Sequence, residues 1–427
     1  MIRAGERAAS LASAGEAARY FKRAAELCES PVERAELLER VGREAGKEGE
    51  LDVALEALET AGRLLDELGA RHAAARVAAR RAEVLRAGDR VGEALALMRP
   101  AYDELIGGER NADVALVAAQ LARIAYFSGE RELALEVVEV ALDMGEILRL
   151  PEVLAEALTT KATLLYHRPH ESGALLREGI RIARSNDLSH ALLRAQFNFA
   201  GLAIEHDRLD EAHEVLVDAL AHARLRGDRT WESNLVGQLG EVLVLLGEWD
   251  EAWRIVAPLD QPAMRDFGTA LRLTPVVSLL VGRGYLAEAR ALLDRASELA
   301  GSTDIQTQAI YLEADAETCL AEGRYAEALA VARRSFEVFR TLNQPHYEVL
   351  GSRSQSMQRS RSARSNRPRC CSSTSPQSRL SSEEPSSRRR PAGSKARSPR
   401  CVERIRQALS SARRRSSAES RCRTGSR

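Results

Sequence analysis

Few stretches of this chain bring together residue types that could do chemistry. "GREAGK", Gly42–Lys47, has the glycines and lysine of a phosphate-cradling loop. It is one residue short, lacks the Ser or Thr that should follow the lysine, and follows no strand. "HRPH" sets His167 and His170 three apart. A turn separates them, and no Cys or acidic partner stands in register to complete a metal set. Of six cysteines, Cys28 and Cys319 lie far apart and Cys370, Cys371, Cys401 and Cys422 lie near the C-terminus. No CxxC spacing occurs, so neither a zinc site nor a disulfide framework is expected. No residue is nominated as catalytic, cofactor-binding or metal-ligating, and a non-enzymatic chain without a cofactor is expected. What remains are aromatic, charged and amide side chains at recurring positions, which suit binding.

Those positions follow from a repeat. "QLGEVLVLLGEWDEAW", Gln238–Trp253, shows its plan. An alanine column reads Ala17, Ala54, Ala94, Ala134, Ala174, Ala212, Ala252, Ala289 and Ala328, with steps of 37 to 40 residues. Twelve residues earlier a second column reads Gly5, Gly42, Ala82, Ala122, Ala162, Ala200, Gly240, Val277 and Ala316, small at all but Val277. Helices cross closely only where side chains are short, so these columns mark the contact between the two helices of each repeat. A third column of Ala61, Ala101, Ala141, Ala219 and Ala296 allows the next repeat to approach. Gly247 ends a first helix in the left-handed region, "EWD" turns the chain, and Trp249 covers the turn. Stacked repeats of this kind form solenoids. Pro275, inside the first helix of the eighth repeat, predicts a kink or break there.

With that spacing on the page, "QLGEVLVLLGEWDEA" resembles a tetratricopeptide repeat. The resemblance covers about residues 1–350. The period is longer than in that family, and the proline that usually closes each repeat is absent. Longer repeats of this type resemble the C-terminal arms of large signalling ATPases, including LuxR-type regulators and ATPase-linked nucleotide cyclases. The resemblance implies an all-α, right-handed superhelical solenoid of antiparallel helix pairs, with a period of about 39 residues. It implies a sensor arm that binds a protein, a peptide or a small effector. In such a superhelix the first helices line the concave face. The register then sends Arg123, Tyr126, Phe127, Glu156, Thr159, Thr163, Tyr166, His167, Arg194, Phe197 and Asn234 towards a ligand groove. Gln120, Asn198 and Gln238 share one helix position and could hydrogen-bond an extended backbone.

Composition bounds the rest. The chain has 427 residues, 29% of them charged and 4% aromatic, a mix that favours helix. No apolar run is long enough to span a membrane, and the N-terminus lacks a signal-peptide core, so a cytoplasmic protein is expected. The formal net charge of zero hides a split. Residues 351–427 hold 21 Lys and Arg against 4 Asp and Glu, a net of +17, and residues 1–350 carry −17. That tail has 22 Ser and 20 Arg and no Phe, Trp or Tyr, and disorder is expected. Two readings of it compete. It is either an Arg/Ser tail that binds nucleic acid, or the product of a shifted reading frame, which the 58 Arg against 4 Lys favours. The repeat also begins within a first helix at Met1 and stops just after "NQPHYEVLG", so both ends read as cut. Eight complete helix pairs are expected after the shortened first one.

Overall fold

A computed structural model of the chain describes residues 1–257 and 267–342, and every secondary-structure element among them is helical. The helices pair in chain order: α1 (Ile2–Ser10) with α2 (Ala14–Glu26), α3 (Pro31–Glu48) with α4 (Leu51–Glu67), and α5 (Arg71–Ala87) with α6 (Val91–Leu105). Next come α7 (Ala112–Phe127) with α8 (Arg131–Ile147), α9 (Pro151–Leu164) with α10 (Pro169–Ser185), and α11 (Ser189–Glu205) with α12 (Leu209–Arg226). Then follow α13 (Arg229–Leu246) with α14 (Trp249–Val256), α15 (Phe267–Arg283) with α16 (Leu286–Arg295), and α17 (Ile305–Ala321) with α18 (Tyr325–Leu342). A short 3-10 helix, Ser297–Gly301, precedes α17. The fold is an all-α solenoid of helix pairs. These helices all fall within one unit of the chain. The tenth repeat expected from "NQPHYEVLG" and the Ser/Arg-rich tail lie outside the described residues. No helix among the described residues is long and apolar enough to cross a membrane.

Local chemistry sets the helix ends. Ser30, Asn111 and Asp228 accept from the backbone N–H groups of Glu33, Val114 and Trp231, and so cap α3, α7 and α13. Gly247 closes α13 at φ +88°, as its position before the turn requires. Trp249 begins α14 and lies against Gly282 of the following repeat, where a methyl group would meet its ring at 2.7 Å.

The small-residue columns carry the packing. A methyl group added at Gly5, Gly42 or Gly240 would fall 2.7, 2.4 and 2.4 Å from Phe21, Leu58 and Val256. Those side chains lie on the second helix of the same repeat. Ala82, Ala122, Ala162, Ala200, Val277 and Ala316 are buried at the same register.

Two expectations are corrected. Ala174 is exposed, and Ser172 takes the buried place in α10, its hydroxyl donating to the Ala162 carbonyl at 2.9 Å. Four residues join α9 to α10, and Pro169 fixes the first helical position, so the register of α10 moves by two. Of the kink or break expected at Pro275, the break is absent: α15 runs continuously through it. Pro275 is buried, with its ring beside Gly240, and this packing offsets the missing backbone donor.

The solenoid also contacts itself between repeats distant in sequence. Thr230 donates to the Gly46 carbonyl at 2.9 Å, joining the seventh repeat to the second. Thr303 donates to the Asp89 carbonyl at 2.8 Å, and Ser302 donates to the Asp89 carboxylate, joining the approach to α17 to the turn of the third repeat.

Candidate functional site

The first helices bring their inner faces together because of this self-contact. One column follows the small residues directly: Glu83, Arg123, Thr163 and Glu241. Arg123 donates to Glu83 across neighbouring repeats at 3.3 Å. Glu83 also meets His190 of the sixth repeat at 2.7 Å. Arg194 pairs with Glu156 and donates to Thr160 Oγ1 at 2.7 Å. Arg80 reaches Glu152 at 3.0 Å, and Arg76 bridges Glu39 and Asp113 at 3.0 and 3.4 Å. The inner face is therefore a network of ions, where a packed core would place apolar side chains.

Its electrostatics are those of charges removed from water. Burial works against the Glu83 carboxylate, but His190, Arg123 and Arg80 outweigh it and hold its pKa well below the usual range. Burial lowers Arg194 to about 10 against the pull of Glu156. Burial alone raises the Glu241 carboxyl to about 7.

The residues expected on an open groove wall are mostly buried. Arg123, Tyr126, Glu156, Thr159, Thr163, Tyr166, Arg194, Asn234 and Gln238 all lie within the packed inner face. Thr159 and Thr163 spend their hydroxyls on the carbonyls of Ala155 and Thr160 in their own helix. Tyr166 donates to the Asn198 carbonyl at 2.7 Å, tying the fifth repeat to the sixth. Asn198 donates to the Arg194 carbonyl and stays half-buried. Phe127 and Phe197 are half-buried as well. Phe197 meets Trp231 and Phe267 edge-on, with ring centroids 5.8 and 6.3 Å apart. His167 stands exposed in its turn.

Several inner-face atoms have no partner among the described residues. They include the side-chain oxygens of Gln120 and Gln238 and the Nε atoms of Arg86 and Arg123. Arg86 and His190 were not singled out from the sequence. Arg86 carried a signal, because it shares the helix position of Tyr126 and Tyr166. The partners of His190 lie in the third and seventh repeats, Glu83 and Trp231. A period of about 39 residues does not announce such a contact.

Away from this face, an open cleft of about 570 Å³ lies among Arg184, Asp187, Ser189, Asp218 and His222. Ser189 Oγ and His222 Nε2 are 2.9 Å apart there. No group of three or more His, Cys, Asp or Glu among the described residues is placed to hold a metal ion.

No family model matches the chain, and no curated protein matches it. Among solved structures it is similar to a Rap protein complexed with competence and sporulation factor. Identity is 12% and the TM-score 0.49, over 78% of this chain and 99% of that one. It is also similar to the apo form of RapI, at 12% identity and a TM-score of 0.43 over 75% of this chain and 98% of the other. A tetratricopeptide repeat protein from Parabacteroides merdae matches at 15% identity and a TM-score of 0.38, over 65% of this chain and 98% of that one. At such values the likeness carries nothing about function, and the repeat architecture stands on the helix pairs themselves.

Proposed function

We propose that the chain is a non-enzymatic scaffold that binds a peptide or an extended protein segment along the inner face of its first helices. One observation carries this reading. Gln120 and Gln238 occupy the same helix position in the fourth and seventh repeats, and each keeps a buried side-chain oxygen without a donor among the described residues. A buried polar group left unpaired costs about 1–3 kcal/mol. An extended backbone offers N–H donors that satisfy such groups, and Phe127 and Phe197, half-buried on first helices, offer apolar contact. The ion pairs of the inner face fit the same reading. A buried pair stabilises little relative to apolar packing, so its retention here is not explained by stability alone.

On this reading the scaffold acts as the sensor arm of an ATPase, a cyclase or a transcription regulator, with a small effector as a further ligand class. The test is selection from a displayed library of random peptides, followed by calorimetry on the peptide recovered. Joint replacement Gln120→Ala and Gln238→Ala should weaken binding by about tenfold or more, the cost of two lost hydrogen bonds. Recovery of no peptide, or an unchanged affinity in the double variant, would reject the reading.

A further inference from the structure

Arg86 is a buried cation that its surroundings leave without a hydrogen-bonded counter-ion. It is 8% exposed, on the last turn of α5. No hydrogen bond or ion pair within the described residues reaches its guanidinium, and its Nε is fully enclosed. The Phe127 ring centroid lies 4.9 Å from its guanidinium carbon. The neighbouring cations are matched, Arg123 by Glu83 and Arg194 by Glu156. Arg86 is left over.

Asp304 is the anion that acts most on Arg86 electrostatically, and it is committed elsewhere. Its Oδ1 accepts from the N–H groups of Gln306 and Thr307 at the start of α17, at 2.8 and 3.2 Å. Its Oδ2 is buried without a partner among the described residues. Burial raises the Asp304 pKa to about 6, with Arg86 and the capped N–H groups only partly opposing it. Burial, helped by Arg123 and Arg194, lowers Arg86 to about 9, still charged at neutral pH. A folded chain gains nothing by holding a cation in this way unless something else meets it.

We infer that Arg86, with Arg123 close by and Phe127 against its guanidinium, forms a subsite for one carboxylate of the bound ligand. A guanidinium presents paired N–H donors that match a carboxylate in its plane. Charge sets the valence. Glu83, Asp89 and Asp304 stand close by, so a single negative charge balances Arg86 and a phosphate dianion would be repelled. The inference rests on the inner face being the binding face.

The test uses the full chain and saturation-transfer NMR. The probes are N-acetylglycine, which has a terminal carboxylate, and N-acetylaspartate α-amide, which has only a side-chain one. Saturable transfer to the acetyl methyl of either probe supports the subsite, and the stronger probe names the source of the carboxylate. Transfer to neither overturns it. Arg86→Met should weaken the bound probe at least tenfold, and Arg181→Met, at an exposed pair, should not. Arg86→Met should also melt at a higher temperature than the parent, because it removes a lone buried charge and keeps the stem. A lower melting temperature would make Arg86 a structural residue and overturn the subsite, as would inorganic phosphate displacing the probe more strongly than acetate does. The two readings fail separately. Probe binding without a selectable peptide removes the peptide reading alone, and peptide binding unaffected by Arg86→Met removes the subsite alone.

Discussion

Glu83 of the third repeat and His190 of the sixth meet at 2.7 Å, Oε1 to Nε2. The contact joins two first helices that no neighbouring-repeat packing would bring together. Trp231 fixes its tautomer. The indole Nε1–H donates to His190 Nδ1 at 3.1 Å, so Nδ1 carries no proton and Nε2–H points at the carboxylate. Glu156 stands 4.0 Å from the same Nε2, and Arg123 and Asp228 also face the ring electrostatically.

This arrangement predicts a titration that Trp231 reports. Burial lowers the His190 pKa, but Glu83 and Glu156 raise it more, and the net is above 6.5. The pairing of imidazolium with Glu83 therefore stabilises the fold below pH 6.5 and is lost as pH rises through the raised value. In the other direction, protonation at Nδ1 removes the acceptor of the indole N–H. With Trp249 and Trp253 replaced by Phe, Trp231 emission should titrate with a midpoint above 6.5, and His190→Gln should abolish the transition. A midpoint below 6.5 would show that burial dominates.

The repeat was legible because it is written in neighbours. Ala212, Ala252, Gly42 and Gly240 announce close crossings through size and spacing alone, and the helix ends follow from residues such as Asp228 and Gly247. Ala174 misled because a constant period hides a two-residue shift at one turn, which Pro169 sets. Pro275 misled because a local rule about backbone donors gave way to packing on both sides. The inner face was half legible. Its columns named Arg123, Glu156 and Arg194, whose partners lie one repeat away. The columns are silent on how far the solenoid curls, so Glu83–His190 and Asp89–Ser302 could not be read from them. The same ignorance made an open wall of residues that are in fact enclosed.

The corrected register in α10 predicts opposite outcomes two residues apart. Ser172→Leu should overpack against α9 and lose the hydroxyl bond to Ala162, costing about 1–3 kcal/mol. Ala174→Leu should lie within about 0.5 kcal/mol of the parent, since it faces solvent. Ala212→Leu and Ala252→Leu, at fully buried crossings, should behave like Ser172→Leu. Urea melts of the four variants decide it, and a costly Ala174→Leu would restore the uniform period.

Glu241 should make the chain less stable as pH rises. Its carboxyl is raised from 4.5 to about 7 by burial, with no opposing partner. Between those values the folded chain holds a proton that the unfolded chain has released, so stability falls with increasing pH and levels off above about 7. Glu241→Gln removes this dependence. It should raise the melting temperature at pH 8 by about 2 °C or more and leave it nearly unchanged at pH 4.5. Equal effects at both pH values would assign the change to packing.

The contact between distant repeats can be tested through two glycines. Gly227 and Gly247 both have positive φ, +64° and +88°. An alanine at either pays the left-handed penalty, about 1 kcal/mol. Only Gly227 lies against another part of the chain. A methyl group there would fall 2.2 Å from the Ala12 carbonyl oxygen, whereas one at Gly247 meets nothing within 4 Å. Backbone cannot rotate aside as a side chain does, so Gly227→Ala must part the seventh repeat from the first. It should strain the nearby Thr230–Gly46 hydrogen bond and the 3.1 Å pair of Arg229 with Glu48 as well. Gly227→Ala should therefore cost more than Gly247→Ala, by about 1 kcal/mol or more, the net worth of one lost hydrogen bond. It should also speed amide exchange in α1 and α2, which Gly247→Ala should leave unchanged. Equal costs and equal exchange would mean that the first and seventh repeats do not hold each other in solution.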